Sequence, residues 1–305
     1  MKGVLLDGHT INPGDLSWSP IEELLDEFVV YEGSLPEEIT DRMSGCEVIM
    51  TSKCDINAGI MGSAPDLRYI GVTATGYNNV DIAAAANRGI AVTNVPAYST
   101  DAVAQHTIAL LIELSNNVGL HNDQVHEGRW SECDYFCYWS KPVQLLYGKS
   151  LGIIGYGAIG KRVAEIAEAL GMKINIYSRD PQAVMNSDVI TLHCPLTPDN
   201  ARMIDDDFLA AMKPGAFLIN TARGGLVDEP ALAKAIESGH LAGAAMDVLT
   251  DEPPSDDNPL LGLDNCIITP HIAWVPREMR QKVIDILAEN LKAWLDGERL
   301  NRVDG

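Results

Sequence analysis

Short apolar runs separated by polar, helix-spaced stretches fill the first hundred residues. Runs at 4–6, 48–50, 69–72 and 90–93 read as strands, and stretches 20–26 and 81–88 as helix candidates between them. Strands alternating with helices predict a parallel sheet covered by helices. A long helix is expected next, capped at Ser99 or Thr100, with Asp101 in its first turn, ending near Leu114. Residues 121–146 then lose periodicity and carry Trp130, Tyr135, Phe136, Tyr138 and Trp139, which predicts a core-covering loop or an interface loop.

From Ser150 the alternation restarts, with strands at 151–154, 174–177, 189–192, 216–219, 242–246 and 266–269 and a helix at 161–170. A last helix, Arg277–Leu295, follows after that series is complete. The pattern predicts two α/β domains, each a Rossmann-like doubly wound parallel sheet. One is inserted into the other: residues 1–98 and 276–305 form a discontinuous domain around an inserted 99–275.

Charge narrows the partners. Lys and Arg total 22 against 43 Asp and Glu, a formal charge of −21. So acidic a surface repels nucleic acid and anionic lipid, and neither is expected as a partner. It also requires any anion site to be locally basic or built from backbone donors. The acidity could equally reflect the solvent in which the organism keeps its proteins. No apolar run approaches the roughly 18–20 residues of a membrane span, and Met1 leads directly into a strand, so no leader is expected. The cysteines at 46, 54, 133, 137, 194 and 266 are too scattered for a disulfide framework, which fits a reducing cytoplasm.

Gly155-Tyr156-Gly157-Ala158-Ile159-Gly160 lies between a strand and a helix. In that context Gly155 makes the tight turn and Gly157 lets backbone approach a pyrophosphate. Gly160 packs helix on strand, and the amides of Ala158, Ile159 and Gly160 face the phosphate charge. The next strand should end near Ser178, where an acidic residue would hold the adenosine ribose; here Ser178 is followed by Arg179. Without that carboxylate a 2′-phosphate is not repelled, and the guanidinium can pair with it. The expected cofactor is therefore NADP or NAD, with NADP favoured; Asp180 serving the ribose is the alternative. Only ten residues, 179–188, link this strand to the next. A parallel crossover takes about a dozen or more, so the usual third strand cannot fit and a shortened adenosine half is predicted.

Three later strands each end on a reactive group: Arg223 after 216–219, Asp247 and Glu252 after 242–246, and His271 after 266–269. In a doubly wound sheet these carboxyl ends form the ligand crevice. A guanidinium can grip a substrate carboxylate in a fork, and an imidazole can protonate a carbonyl oxygen as hydride arrives. A carboxylate beside that imidazole favours its charged form. Individually each residue has an ordinary structural explanation, but together they point to Arg223, Glu252 and His271 as a catalytic set.

These segments resemble the D-isomer-specific 2-hydroxyacid dehydrogenase family over nearly the whole chain. The resemblance is carried by residues 155–160, His193-Cys194-Pro195-Leu196-Thr197, Asn220-Thr221-Ala222-Arg223-Gly224, 247–253 and Thr269-Pro270-His271. It implies that Arg223 binds the substrate carboxylate, His271 is the acid–base, Glu252 orients it and Asp247 holds the nicotinamide carboxamide. It further implies cofactor contacts at Cys194, Pro195, Thr221 and Ala222, and substrate contacts at the backbone of Ala74, Thr75 and Gly76. Val72-Thr73-Ala74-Thr75-Gly76-Tyr77-Asn78, 95–100, 136–139 and His271-Ile272-Ala273-Trp274 are similar to the glycerate dehydrogenase, or hydroxypyruvate reductase, branch. The implied reaction is hydride transfer between NAD(P)H and a small 2-oxo acid, hydroxypyruvate or glyoxylate going to D-glycerate or glycolate. The family's dimers join through cofactor domains, which implies a homodimer that buries the 99–114 helix, and Trp139 is a candidate to enter the partner's site.

Two rivals remain. A dinucleotide-sensing binding protein would keep the fold with little turnover, and the shortened adenosine half favours it. A zinc site from His121, His126, Cys133 and Cys137 matches no compact ligand spacing, so no metal is expected.

Overall fold

Two parallel sheets organise the chain in a computed structural model that describes all of residues 1–305. One compact unit is Met1–Ser99 with Val275–Gly305; the other is Thr100–Trp274.

In chain order the first unit runs β1 (Lys2–Leu5), α1 (Ser19–Glu22), β2 (Glu27–Val30), α2 (Ile39–Arg42), β3 (Val48–Thr51), α3 (Ala58–Ser63), β4 (Tyr69–Val72), α4 (Ile82–Asn87) and β5 (Ala91–Thr93). The second unit runs α5 (Thr100–Asn116), α6 (Val118–His126), β6 (Ser150–Ile154), α7 (Ala158–Ala169), β7 (Lys173–Ile176), α8 (Pro181–Met185), β8 (Val189–Leu192), α9 (Asp206–Ala211), β9 (Phe217–Asn220), α10 (Glu229–Glu237), β10 (Gly243–Met246) and β11 (Cys266–Ile268). The chain then returns to the first unit as α11 (Arg277–Leu295).

The first sheet has the order β2-β1-β3-β4-β5, all parallel. β3 and β4 are buried at every position, which is why they read as unbroken apolar runs. Val4, Ile49, Ile70 and Val92 face a core shared with α2, α3 and α4. On β4, Tyr69 stacks on Trp294 of α11 at 5.0 Å between ring centroids, and Gly71 leaves room for Leu287. The last helix thus completes the first unit, although the whole second unit intervenes in sequence.

The second sheet has the order β11-β10-β9-β8-β6-β7. Alternate residues of its strands serve two cores. Ile190, Leu192, Leu218 and Met246 pack with α9 and α10, while Ile153, Val189, Ile219 and Ala245 pack with α5 and α7. β7 is the edge strand and pairs only with β6, whose other side pairs with β8. No strand follows β7 outward: the chain passes through the single turn of α8 directly to β8. The adenosine half is therefore shortened, as the ten-residue link predicts.

Several of the short helices exist because an acidic or amide side chain caps them. Asn57, Asp81, Asp180, Asp205 and Asp228 each accept a hydrogen bond from a first-turn amide, worth about 1 kcal/mol apiece. Two expectations need correction. The loss of periodicity at 121–146 hides α6, whose sides are polar enough that none of its residues is buried. β2 lacks a signal because, at the sheet edge, none of its four residues is fully buried.

Candidate active site

The carboxyl ends of β9, β10 and β11 lie level: Asn220 pairs with Met246, and Met246 with Ile268. Arg223, Asp247 and His271 therefore leave three adjacent strands at one edge of the sheet. Asn220 braces the first turn, accepting from the Ala222 amide at 3.0 Å and donating to the Arg223 carbonyl at 2.8 Å. Arg223 itself is exposed, forms no ion pair, and donates only to the Ala222 carbonyl. An unpaired guanidinium in so acidic a chain keeps its fork available for an incoming carboxylate.

Gly224 brings that loop against the next. A side-chain carbon there would lie 1.9 Å from the Leu249 carbonyl carbon, so only glycine permits the approach. Beyond Leu249 stands Glu252. Its Oε1 accepts from the Leu249 amide at 3.1 Å, and its Oε2 lies 2.7 Å from Nδ1 of His271. With a carboxylate as acceptor, Nδ1 carries a proton, and Nε2 is the ring nitrogen left for another partner. Glu229, buried at the start of α10, accepts from the Thr250 amide and from the Asn258 side chain, both at 2.6 Å, and so fixes the loop that carries Glu252.

His271 has a left-handed backbone, φ +54°, uncommon for a residue with a side chain. Its amide is shared between the carbonyls of Asp247 at 2.8 Å and Thr269 at 2.9 Å. The Asp247 carboxylate, 1% exposed, accepts from the Thr269 hydroxyl at 2.6 Å and from the amides of Ile272 at 2.9 Å and Ala273 at 3.0 Å. Burial pushes its carboxyl up, but hydrogen bonds from His106, Thr269, Ala273 and Ile272 outweigh burial and hold it below the ordinary range.

The three glycines of the loop differ in what surrounds them. Gly155 has φ +99°, and a side chain there would strike the amide of Cys194 at 2.3 Å. Gly160 would strike the Gly155 carbonyl at 2.2 Å, so α7 is packed hard on the loop. At Gly157 nothing lies within 4 Å of the added carbon. That open approach, at the N-terminus of the twelve-residue α7, suits a pyrophosphate. Ser178 and Arg179 follow β7, and the Arg179 guanidinium lies 5.4 Å over the ring of Tyr156 in the same loop. Asp180 caps α8, its Oδ1 accepting from the Ala183 amide at 3.0 Å.

At the end of β8, His193 and Cys194 run beside Gly155, and Thr221 hydrogen-bonds Thr107 of α5 at 2.9 Å. Pro195 and Ala222 lie in the loops that follow these strands. His193 was not expected to matter by itself: its Nε2 meets the Thr191 hydroxyl at 3.1 Å, its Nδ1 is buried without a partner, and burial pushes its imidazole down to about 3. In the first unit, the loop after β4 is pinned to the end of β5. Thr75 donates to the Val95 carbonyl, Asn94 to the Thr75 carbonyl, and the Val95 amide to the Ala74 carbonyl. The amides of Thr75 and Gly76 take no part in these bonds.

The residues read as zinc ligands do not converge. His121 meets the Asn117 carbonyl through Nδ1 at 2.7 Å and the Ser140 amide through Nε2 at 3.2 Å, and no three His, Cys, Asp or Glu side chains gather to hold a metal. No helix is long and apolar enough to cross a membrane.

A family model described as the D-isomer specific 2-hydroxyacid dehydrogenase NAD binding domain matches residues 108–273. A hydroxypyruvate reductase of Blautia hydrogenotrophica is 42% identical over 100% of this chain and 100% of its own length. A glycerate dehydrogenase of Methylorubrum extorquens is 43% identical over 91% of this chain and 92% of its own. Among solved structures, an NADPH-dependent glyoxylate/hydroxypyruvate reductase from Sinorhizobium meliloti, in complex with NADP and malonate, superposes with a TM-score of 0.83. It is 29% identical, covering 99% of this chain and 96% of that one.

Proposed function

Because this chain belongs to the D-isomer specific 2-hydroxyacid dehydrogenase family, and so is an oxidoreductase that uses a nicotinamide dinucleotide, we propose that it reduces hydroxypyruvate and glyoxylate to D-glycerate and glycolate. The observation that carries this reading is the His271–Glu252 pair at 2.7 Å, one strand from an Arg223 that no carboxylate neutralises. The names of its relatives point to the same substrates.

When bound, the dinucleotide supplies the hydride. Arg223 grips the substrate carboxylate, and the amides of Thr75 and Gly76 are further donors for an anion. His271 delivers the proton from Nε2 to the carbonyl oxygen, and in the reverse direction takes it from the hydroxyl. Glu252 stabilises the imidazolium and holds the ring in the tautomer the reaction needs. Asp247 Oδ2 accepts one hydrogen bond, from Ala273, and keeps a lone pair for the nicotinamide carboxamide. Gly155, Gly157, Ala158, Ile159 and Gly160 cradle the pyrophosphate, with Cys194, Pro195, Thr221 and Ala222 along the rest of the dinucleotide.

NADP is the preferred form in this reading. Arg179 stands by the glycine loop, no carboxylate is available at Ser178, and Asp180 is engaged as a helix cap. Arg179→Ala should weaken NADPH binding at least about tenfold and NADH binding much less, as for loss of a charge-assisted pair; equal losses remove the NADP preference. A homodimer is also proposed. Tyr135, Phe136, Trp139, Leu145 and Tyr147 are each at least 70% exposed between α6 and β6, an apolar stretch that a second copy would cover. α5 already buries its apolar face within its own unit, leaving Asp101, Gln105 and Ala109 outward for a partner.

The test is steady-state oxidation of NADPH and of NADH with hydroxypyruvate, glyoxylate and pyruvate. Turnover with the first two acids, faster with NADPH, is expected. The missing strand outside β7 favours the second reading, a dinucleotide-sensing binding protein, and tight cofactor binding without turnover on any of the acids would establish it instead.

A further inference from the structure

His106 lies on α5, 163 residues before the turn it touches. Its Nε2 is 3.0 Å from the Thr269 hydroxyl and 3.4 Å from Asp247 Oδ1. The Thr269 hydroxyl has one hydrogen, and at 2.6 Å that hydrogen goes to the Asp247 carboxylate, which only accepts. Thr269 must therefore accept from His106, so Nε2 of His106 carries a proton. The same N–H leans toward Asp247 Oδ1.

What this donor supports is the turn 269–273. His271 sits in a left-handed conformation, strained for a residue with a side chain, which persists only where the surroundings over-determine it. Asp247 is what over-determines it, through its carbonyl to the His271 amide and its carboxylate to the next two amides. A carboxylate so buried needs donors on every side, and His106 is the only one of them that comes from outside residues 247–273. α5 is a firm platform for it: seventeen residues long, it is packed against β9, β10 and α7.

We propose that His106 is a positioning residue for His271: by donating into the Thr269–Asp247 pair it fixes the turn from which the catalytic imidazole projects. The inference rests on the reading of His271 as the acid–base group.

Three readouts test it. His106→Leu removes the donor, and His106→Gln places an amide N–H near the position of Nε2. In the cofactor-free protein, the amides of Ile272 and Ala273 should exchange with deuterium at least about tenfold faster in His106→Leu, and near the wild-type rate in His106→Gln. In turnover, kcat should fall about tenfold or more in His106→Leu with KM changed less than about threefold, and His106→Gln should recover most of it. Nitrogen NMR of histidine-labelled protein should find the His106 proton on Nε2. If His106→Leu does not fold, His106→Asn, whose amide falls short of the Nε2 position, takes its place.

Unchanged exchange at 272 and 273 in the Leu variant overturns the proposal. So does a Gln variant that behaves like Leu, which would make His106 a packing residue, or an Nε2 found to carry no proton. Absence of turnover in the wild type would sink the proposed function, while exchange and NMR would still decide the role of His106.

Discussion

At the scale of single residues, each reactive side chain is aimed by backbone that something else holds. Glu252 is anchored by its own loop amide and by the loop that buried Glu229 fixes; His271 is anchored by Asp247. His193 is different, a half-buried imidazole with its Nδ1 buried and unpartnered and its pKa pushed down to about 3 by burial. Because the folded value lies below the ordinary one of 6.5, the unfolded chain takes up the proton first. The stability this residue contributes is complete above about pH 7 and is lost as pH falls through 6.5 toward 3. Between pH 7.5 and 5 the wild type should lose roughly 2 kcal/mol more than His193→Gln. Urea melts of both proteins at the two pH values check this; parallel losses would mean that His193 is solvated or charged in the folded state.

At the scale of elements, the β6–loop–α7 unit makes a separable prediction. Gly157 has an ordinary negative φ as the N-cap of α7 and open space around it, whereas Gly155 and Gly160 are wedged against backbone. Gly157→Ala should therefore leave the cofactor-free Tm within about 2 °C of wild type, as expected for a change of a few tenths of a kcal/mol, yet weaken dinucleotide binding about tenfold or more, a cost of about 1.4 kcal/mol. Calorimetry with and without cofactor checks both halves, and a lowered Tm with unchanged affinity would contradict the assignment. Elements of this kind are legible in sequence because a local rule forces them: glycines at fixed spacing, apolar runs buried on both faces, and a link between β7 and β8 too short for a strand. The same holds for Arg223, Glu252 and His271, which strand ends and residue chemistry mark out. What sequence hides is either weakly patterned or distant. α6 and β2 bury too little to show periodicity. His106 and Glu229 read as ordinary helix residues, since their partners at 269 and 250 become neighbours only once the sheet is ordered.

At the scale of the whole molecule, 43 acidic residues against 22 basic ones leave a surplus that local pairing does not remove. Most ion pairs here are exposed, such as Lys292–Asp296 and Lys234–Asp206, and such pairs are worth about 0–1 kcal/mol each. Screening should therefore relieve more repulsion than it costs in attraction. Tm is expected to rise as KCl is raised from about 0.05 to 1 M, over which the Debye length shrinks to about 3 Å; a flat or falling Tm would mean that the paired charges dominate. The same surplus repels an anionic substrate, so under the proposed function the reaction depends on the few places where the chain offers a free cation or free amides, Arg223 foremost. In the proposed reaction His271 moves the proton at that place. The decisive measurement is turnover of hydroxypyruvate by His271→Ala, made beside its NADPH affinity. A loss of about 10²–10⁴-fold in turnover with cofactor binding retained is expected; turnover within a few-fold of wild type would mean that His271 is not the proton donor.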